Sequence, residues 1–161
     1  ALKFFIETVR LKKPEKTGIL WWNLIDCWPQ FSDSIVDYNF RKKKAYHLIE
    51  HLQRPVLGML TEWQEWGHQI IMTNDTNKVI DGTVSVTDAE SGKIFVETPF
   101  KVSPEKNTIA ASFRLPISSH RLLIIEWSCK EYSGKNHYLT GTPPFSLESI
   151  REWNKRELLP F

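Results

Sequence analysis

Apolar residues recur at helical spacing at the start of the chain. Leu2, Phe5, Ile6 and Val9 fall at i, i+3, i+4 and i+7, with Lys3, Glu7 and Arg10 between them, which predicts an amphipathic helix with its stripe turned inward. No Ser, Thr, Asp or Asn precedes it as a cap, so the helix reads as cut rather than begun. Lys12 to Thr17, with Pro14, ends it. Ile19 to Ile25 is then an apolar run broken only by Asn23, flanked by Gly18 and Pro29. That length and those flanks predict a strand buried on both faces, as in a parallel sheet covered by helices. Trp22, Asn23, Asp26 and Trp28 gather at its carboxyl end, where α/β barrels build their sites. A core strand whose tryptophans fill space is the plainer reading of the run taken alone. A polar, irregular segment from Gln30 to Asn39 follows. Ala45, Leu48, Ile49 and Leu52 then repeat the helical spacing until Arg54-Pro55 stops it.

Helix, buried strand, site-like loop and helix make up the repeating unit of an α/β barrel, which needs eight strands to close. With one such strand present, residues 1–55 are expected to be the carboxy-terminal end of an incomplete (β/α)8 barrel. From Val56 the period changes to two. Val56–Trp63 and Gln69–Met72 read as strands, Asn74-Asp75-Thr76-Asn77 as a turn. Val84 and Val86 alternate with polar residues, Asp88–Gly92 turns the chain, and Ile94 and Val96 alternate again. Ile109, Ala111, Phe113 and Leu115 keep strict alternation, and Leu122–Trp127 is a continuous apolar strand. Short strands joined by Gly- and Pro-containing turns predict an immunoglobulin-like β-sandwich over 56–161. A short helix closes it, from Ser146 as N-cap through Glu157, with Leu147, Ile150 and Trp153 as its stripe. The fold class expected is therefore mixed: a barrel remnant of helix, strand and helix, then an all-β sandwich with a C-terminal helix.

Composition changes little. A net charge of +2 over 161 residues gives no reason to invoke nucleic acid or a membrane surface as partner, and no stretch is long and apolar enough to span a bilayer. Arg41-Lys42-Lys43-Lys44 is the one basic run and reads as a solvated face. Cys27 and Cys129 lie far apart and read as two unpaired buried thiols. His47 and His51 stand at i, i+4 without a Glu-x-x-His context, and His68, His120 and His137 are scattered, so all five read as surface histidines and no metal site is expected. Asn74-Asp75-Thr76 fits the N-glycosylation pattern. Seven tryptophans are many for this length; large cores use them, and so do sugar sites.

Trp22-Asn23-Leu24-Ile25-Asp26-Cys27-Trp28-Pro29, with Ser34-Ile35-Val36-Asp37-Tyr38 and Lys42 through Pro55, resembles the end of the catalytic barrel in glycoside hydrolase family 2, which includes β-galactosidases, β-mannosidases and β-glucuronidases. Trp22 and Asp26 match its eighth-strand Trp-x-x-x-Asp pattern. Asp26, Trp28 and Pro29 match the Asp-x-Trp-Pro continuation of the β-mannosidase branch, although that branch usually carries Asn where this chain has Ile25. An immunoglobulin-like domain after the barrel is also the family arrangement. The resemblance implies retaining hydrolysis of β-glycosides by two glutamates on earlier barrel strands. Glu7 and Glu15 match neither, so no catalytic residue is expected in this chain, and no cofactor is implied. Trp22 is expected to stack on the sugar beside the scissile bond, after a cis peptide to Asn23. Asp26 is expected to orient Trp22 or nearby loops, or to touch sugar, and Trp28 to wall the cleft. The partners implied are a β-linked glycan, bound through the parent protein, and the missing amino-terminal barrel portion.

Two other readings stay open. One is a non-catalytic carbohydrate-binding module using Trp63 and Trp66, which flank an expected turn; packing against the barrel is the more economical use for them. The other is a protein-interaction sandwich whose helical preface, with Leu2, Phe5 and Val9, docks a separate partner.

Overall fold

Past Pro55 the described residues form seven strands: β1 (Val56–Leu60), β2 (Gly67–Asn74), β3 (Ile80–Asp88), β4 (Ile94–Val102), β5 (Asn107–Arg114), β6 (Arg121–Cys129) and β7 (Ser133–Thr140). They form two antiparallel sheets in the orders β1-β2-β5 and β4-β3-β6-β7. The structure is a computed structural model that describes residues 1–31, 33–116 and 120–156. Two units divide between Arg54 and Pro55. The second is the expected sandwich, with its fourth strand beside β3 rather than in the sheet of β1, β2 and β5, where the constant-type immunoglobulin arrangement puts it.

Leu57, Met59, Ile70 and Met72 of one sheet and Val84, Val86, Leu123, Ile125 and Trp127 of the other are all buried. The sheets are joined by a hydrogen bond as well as by packing, since Asn136 Nδ2 on β7 donates to the Gly58 carbonyl on β1 at 2.9 Å. Trp127 requires a glycine opposite it: a Cβ on Gly134 would lie 2.2 Å from the indole ring. β7 has no apolar alternation, and its buried positions are Asn136, His137 and Thr140. This is why the sequence pattern does not reveal it. The strand is held by its ladder to β6.

The Asn74 side chain is fully buried. Its amide donates to the carbonyls of Lys78 (2.7 Å), Val102 (3.3 Å) and Ser103 (3.1 Å), while its oxygen accepts from the backbone N–H and hydroxyl of Thr76 (2.8 and 2.7 Å). The residue that fits the glycosylation pattern thus links the β2–β3 turn to the end of β4.

Helix α3 (Leu147–Lys155) starts where expected, with Ser146 Oγ accepting from Ser149 N at 3.3 Å. Trp153 packs with Leu122 and Ile124, and its indole N–H donates to Glu90. Arg156 reaches the same carboxylate at 3.2 Å. Leu147 is exposed, so the apolar stripe is used only from Ile150 onward. The expected end at Glu157 lies outside the described residues.

In the first unit α1 (Leu2–Leu11) and α2 (Lys44–Leu52) form as the periodicity predicts. Ile6, Ile35, Ile49 and Leu52 make its core, with Leu2, Ile19, Trp21, Val36, Ala45, Tyr46 and Leu48 packed against it. Phe5 stays partly exposed. Arg10 caps the end of α2 by donating to the carbonyls of Leu52 and Arg54.

Ile19–Ile25 is not the two-sided buried strand expected. Its only pairing among the described residues is a single parallel bridge from Ile25 to Val36. Ile19 and Trp21 turn toward the helices, while Leu20, Trp22 and Leu24 are exposed. The physical reason is that burying both faces of a parallel strand requires neighbours with which to form a ladder, and one helical layer covers one face. The segment belongs to neither sheet of the sandwich.

Three histidines depart from the surface reading. His51, His68 and His137 are buried. Cys27 is exposed rather than buried, and Cys129 is partly covered. Among the described residues no helix is long and apolar enough to cross a membrane.

Replacing Asn74 with Ala leaves three carbonyls and the Thr76 donors without their partner, each a cost of about 1–3 kcal/mol when buried, less what water recovers. The N74A chain is expected to lose about 3 kcal/mol of sandwich stability, read as a lower urea midpoint with unchanged slope.

Candidate functional site

A carboxylate inside an apolar segment must find a cation or several donors, because an unpaired buried charge is expensive. Asp26 is 3% exposed. Its Oδ1 accepts from Gln30 Nε2 at 3.0 Å, and its Oδ2 stands 2.6 Å from Lys43 Nζ. Lys43 also donates to Ser34 Oγ at 3.0 Å. The hydrogen bond from Lys43, and after it the one from Ser34, hold the carboxyl at about 2 instead of the usual 3.8, against the opposing effect of burial.

The backbone around this group is tied in the same place. Asp26 N donates to Val36 O (3.1 Å), Val36 N to Leu24 O (3.0 Å), and Lys43 N to Ile35 O (3.0 Å). A second carboxylate, Asp37, organises the return of the loop. It accepts from the backbone N–H groups of Arg41 (2.9 Å) and Asn39 (2.8 Å) and from Arg41 Nε (2.8 Å). Those bonds, the Arg41 N–H foremost, lower its pKa.

On this frame Trp22 is 85% exposed and Trp28 62%. The Trp22–Asn23 peptide is cis, as the family resemblance leads one to expect. Asn23 N donates to Asp33 O at 3.2 Å, and Asp33 itself has φ 59°. The four residues singled out from sequence therefore divide by position. Asp26 is buried and fixes the loop, Asn23 is half-buried and engaged through its backbone, and the two tryptophans face outward. Exposed indoles can stack on a flat apolar surface, such as the C–H face of a sugar ring.

Sequence reasoning missed Gln30, Ser34 and Lys43. Lys43 in particular was expected on a solvated basic face but is the ion-pair partner of Asp26. The signal available was the carboxylate itself: Asp26 at the end of an apolar run demands a cation, although nothing in the spacing says that Lys43 supplies it. Lys42 lies over the Tyr46 ring at 4.2 Å instead. Among the described residues no cluster of three or more His, Cys, Asp or Glu is placed to hold a metal ion.

The low pKa of Asp26 has a definite sign. The unfolded carboxyl, at about 3.8, binds its proton more readily than the folded one, at about 2. Stability from this pair is present in full above the unfolded value and is lost as pH falls through the folded value. Carboxyl NMR titration is expected to place Asp26 at about 2, and Lys43→Met to move its midpoint upward. The destabilisation caused by Lys43→Met should be larger at pH 7 than at pH 2.

No protein-family model matches the chain. Against curated proteins, it is 44% identical over 50 residues to β-mannosidase B of Aspergillus niger, covering 30% of this chain and 6% of that protein. It is 30% identical over 81 residues to β-mannosidase B of Aspergillus clavatus, covering 43% and 10% respectively. Among solved structures, a β-D-mannosidase from Dictyoglomus thermophilum superposes with a TM-score of 0.73 at 22% identity, over 87% of this chain and 18% of that one. The chain thus spans a small part of the length of the proteins it matches. It shares sequence with one set and fold with the other. In sequence over the matched residues and in fold over most of its length, the chain resembles β-mannosidases, in line with its likeness to glycoside hydrolase family 2.

Proposed function

We propose that the chain serves as the carboxy-terminal portion of a retaining β-glycosidase of β-mannosidase or β-galactosidase type. Residues 1–55 supply the last strand and helices of its (β/α)8 barrel, and 56–161 the supporting sandwich. The observation that carries the reading is the presentation of Trp22, an exposed residue on a loop whose fixed point is the ion pair of the buried Asp26 with Lys43. The open face of Leu20, Trp22 and Leu24 supports it too, since alternate side chains of a barrel strand fill the barrel interior. The relatives' description as β-mannosidases favours a β-linked mannoside as the substrate class.

In such an enzyme two carboxyl groups about 5–5.5 Å apart perform the double displacement. On this reading both come from the upstream barrel segment. Trp22 stacks on the sugar beside the scissile bond and keeps the ring in place as positive charge develops at the anomeric carbon. Trp28 walls the cleft. Asp26 acts through position, holding the loop that carries both indoles, and Asn23 fixes the entry to it. The chain alone is not expected to hydrolyse a glycoside.

The test is complementation. Co-expression with a β-mannosidase barrel segment that ends before the eighth strand is expected to restore cleavage of an aryl β-mannoside. Trp22→Ala in the restored complex should cut kcat/KM by about 10- to 100-fold, the range of one lost transition-state contact. Stable association of the two pieces without any β-glycosidase activity would count against the proposal.

A further inference from the structure

The hairpin between β1 and β2 is built against local preference. Gln64 and Gly67 exchange two backbone hydrogen bonds (3.0 and 2.9 Å) around Glu65 and Trp66, which both have positive φ, 48° and 72°. Two positive φ values at the centre of a two-residue hairpin are the pattern of a type I′ turn, which strongly prefers Asn-Gly or Asp-Gly. A glutamate followed by a bulky aromatic is a poor choice for stability, and unfavourable backbone of this kind gathers at binding sites. Gly67 is required for a different reason, because a Cβ there would lie 1.9 Å from the Phe113 carbonyl.

The turn holds the Trp66 indole 73% exposed. It is braced from behind. Trp63 meets it edge-on with centroids 6.0 Å apart, and Trp63 Nε1 donates to the Leu115 carbonyl at 2.7 Å. Leu115 N donates in turn to the Trp66 carbonyl at 3.0 Å. The buried His68 supports the base of the turn: its ring Nδ1 lies 2.8 Å from the Thr61 carbonyl and therefore carries the proton, leaving Nε2, 3.3 Å from Thr140 Oγ1, as acceptor. Burial lowers the pKa of His68, in keeping with a neutral ring.

Beside the turn lies a concavity of about 230 Å³ whose lining includes Gln64, Glu65, Gln69, Ser112, Phe113 and Arg114. Gln69 pairs with Ser112 across the β2–β5 ladder and Gly67 with Arg114, so their side chains share one face of the sheet. The volume is below the roughly 300–1,000 Å³ of pockets for drug-sized ligands, and the lining mixes amides, a hydroxyl and charges of both signs. A braced, solvent-facing indole next to amides, a hydroxyl and the Glu65 and Arg114 side chains suits a ligand with an apolar face and a rim of hydroxyls.

We propose that the Gln64–Gly67 hairpin and the adjoining Gln69–Ser112–Arg114 face form a glycan-binding site distinct from the Trp22 loop, with Trp66 as the stacking platform for one ring of a β-linked oligosaccharide. The choice of mannan as first probe rests on the proposed function; the site itself does not.

The experiment is calorimetric titration of the 161-residue chain with β-1,4-mannohexaose and, separately, cellohexaose. Binding of at least one is expected, with Trp66→Gly weakening it about tenfold or more and Arg114→Ala weakening it by a smaller factor. Glycine is the informative replacement because it suits the positive φ, so the thermal midpoint is expected to hold while affinity falls. Absence of binding to both oligosaccharides, or equal affinity in the Trp66→Gly chain, overturns the site. Association of the chain with a protein partner through Trp66, with no oligosaccharide bound, overturns it as well. Failure here with successful complementation leaves the barrel reading standing. Binding lost in Trp66→Gly without complementation establishes this site alone.

Discussion

The pairing of the Asp26 carboxylate with the Lys43 ammonium is the interaction on which the first unit turns. It joins three segments that share little regular structure: the end of the extended run at Ile25, the loop through Gln30, and the entry to α2. Those segments have few ladder bonds of their own, so the geometry of the loop depends on a charge pair whose carboxylate is buried and whose ammonium is partly exposed. A buried pair of this kind adds little to stability compared with an apolar substitute, but losing one member leaves an uncompensated charge. It specifies arrangement more than it strengthens the fold. The tryptophans on either side of Asp26 inherit that specification.

The two units differ in how completely they satisfy themselves. The sandwich closes its core with residues from both sheets, links them through Asn136, and seals one side with Trp153 of α3. The first unit buries a smaller set of apolar side chains between two helices and an extended run, and leaves Leu20, Trp22, Leu24 and Phe31 in solvent. Three of these four alternate along the extended run, whose other side chains, Ile19 and Trp21, pack toward the helices.

Much of this was legible in the residues. The period of 3.6 placed α1 and α2, and the period of two placed β3, because each has one buried and one solvated face; in β5 the alternation ends in burial only at Phe113, since a register shift opposite it leaves Ile109 exposed. Ser146 marked the start of α3 through its hydroxyl. β7 escaped because its buried side chains are Asn136, His137 and Thr140, polar groups satisfied within the fold rather than by the pattern. The run Ile19–Ile25 misled in the other direction. Its hydrophobicity reports what the segment is suited to pair with, whereas its observed state reports what is beside it. At the candidate site Trp22, Asn23, Asp26 and Trp28 were readable as a group, but the partners of Asp26 were not, since Lys43 is seventeen positions away and the spacing carries no signal. The buried histidines were missed for the same reason.

The burial of Asn74 has a consequence for the timing of modification. Once β2, the following turn and the end of β4 have come together, the amide nitrogen that an oligosaccharyltransferase would use is enclosed by three carbonyls. The sequon is open only on the nascent chain. In a secretory host the enzyme and the folding reaction compete for the same atom, and a sugar attached first would bar the turn from closing. The Asn-Asp-Thr triplet thus makes this chain's yield in such a host a kinetic question, decided before the sandwich exists.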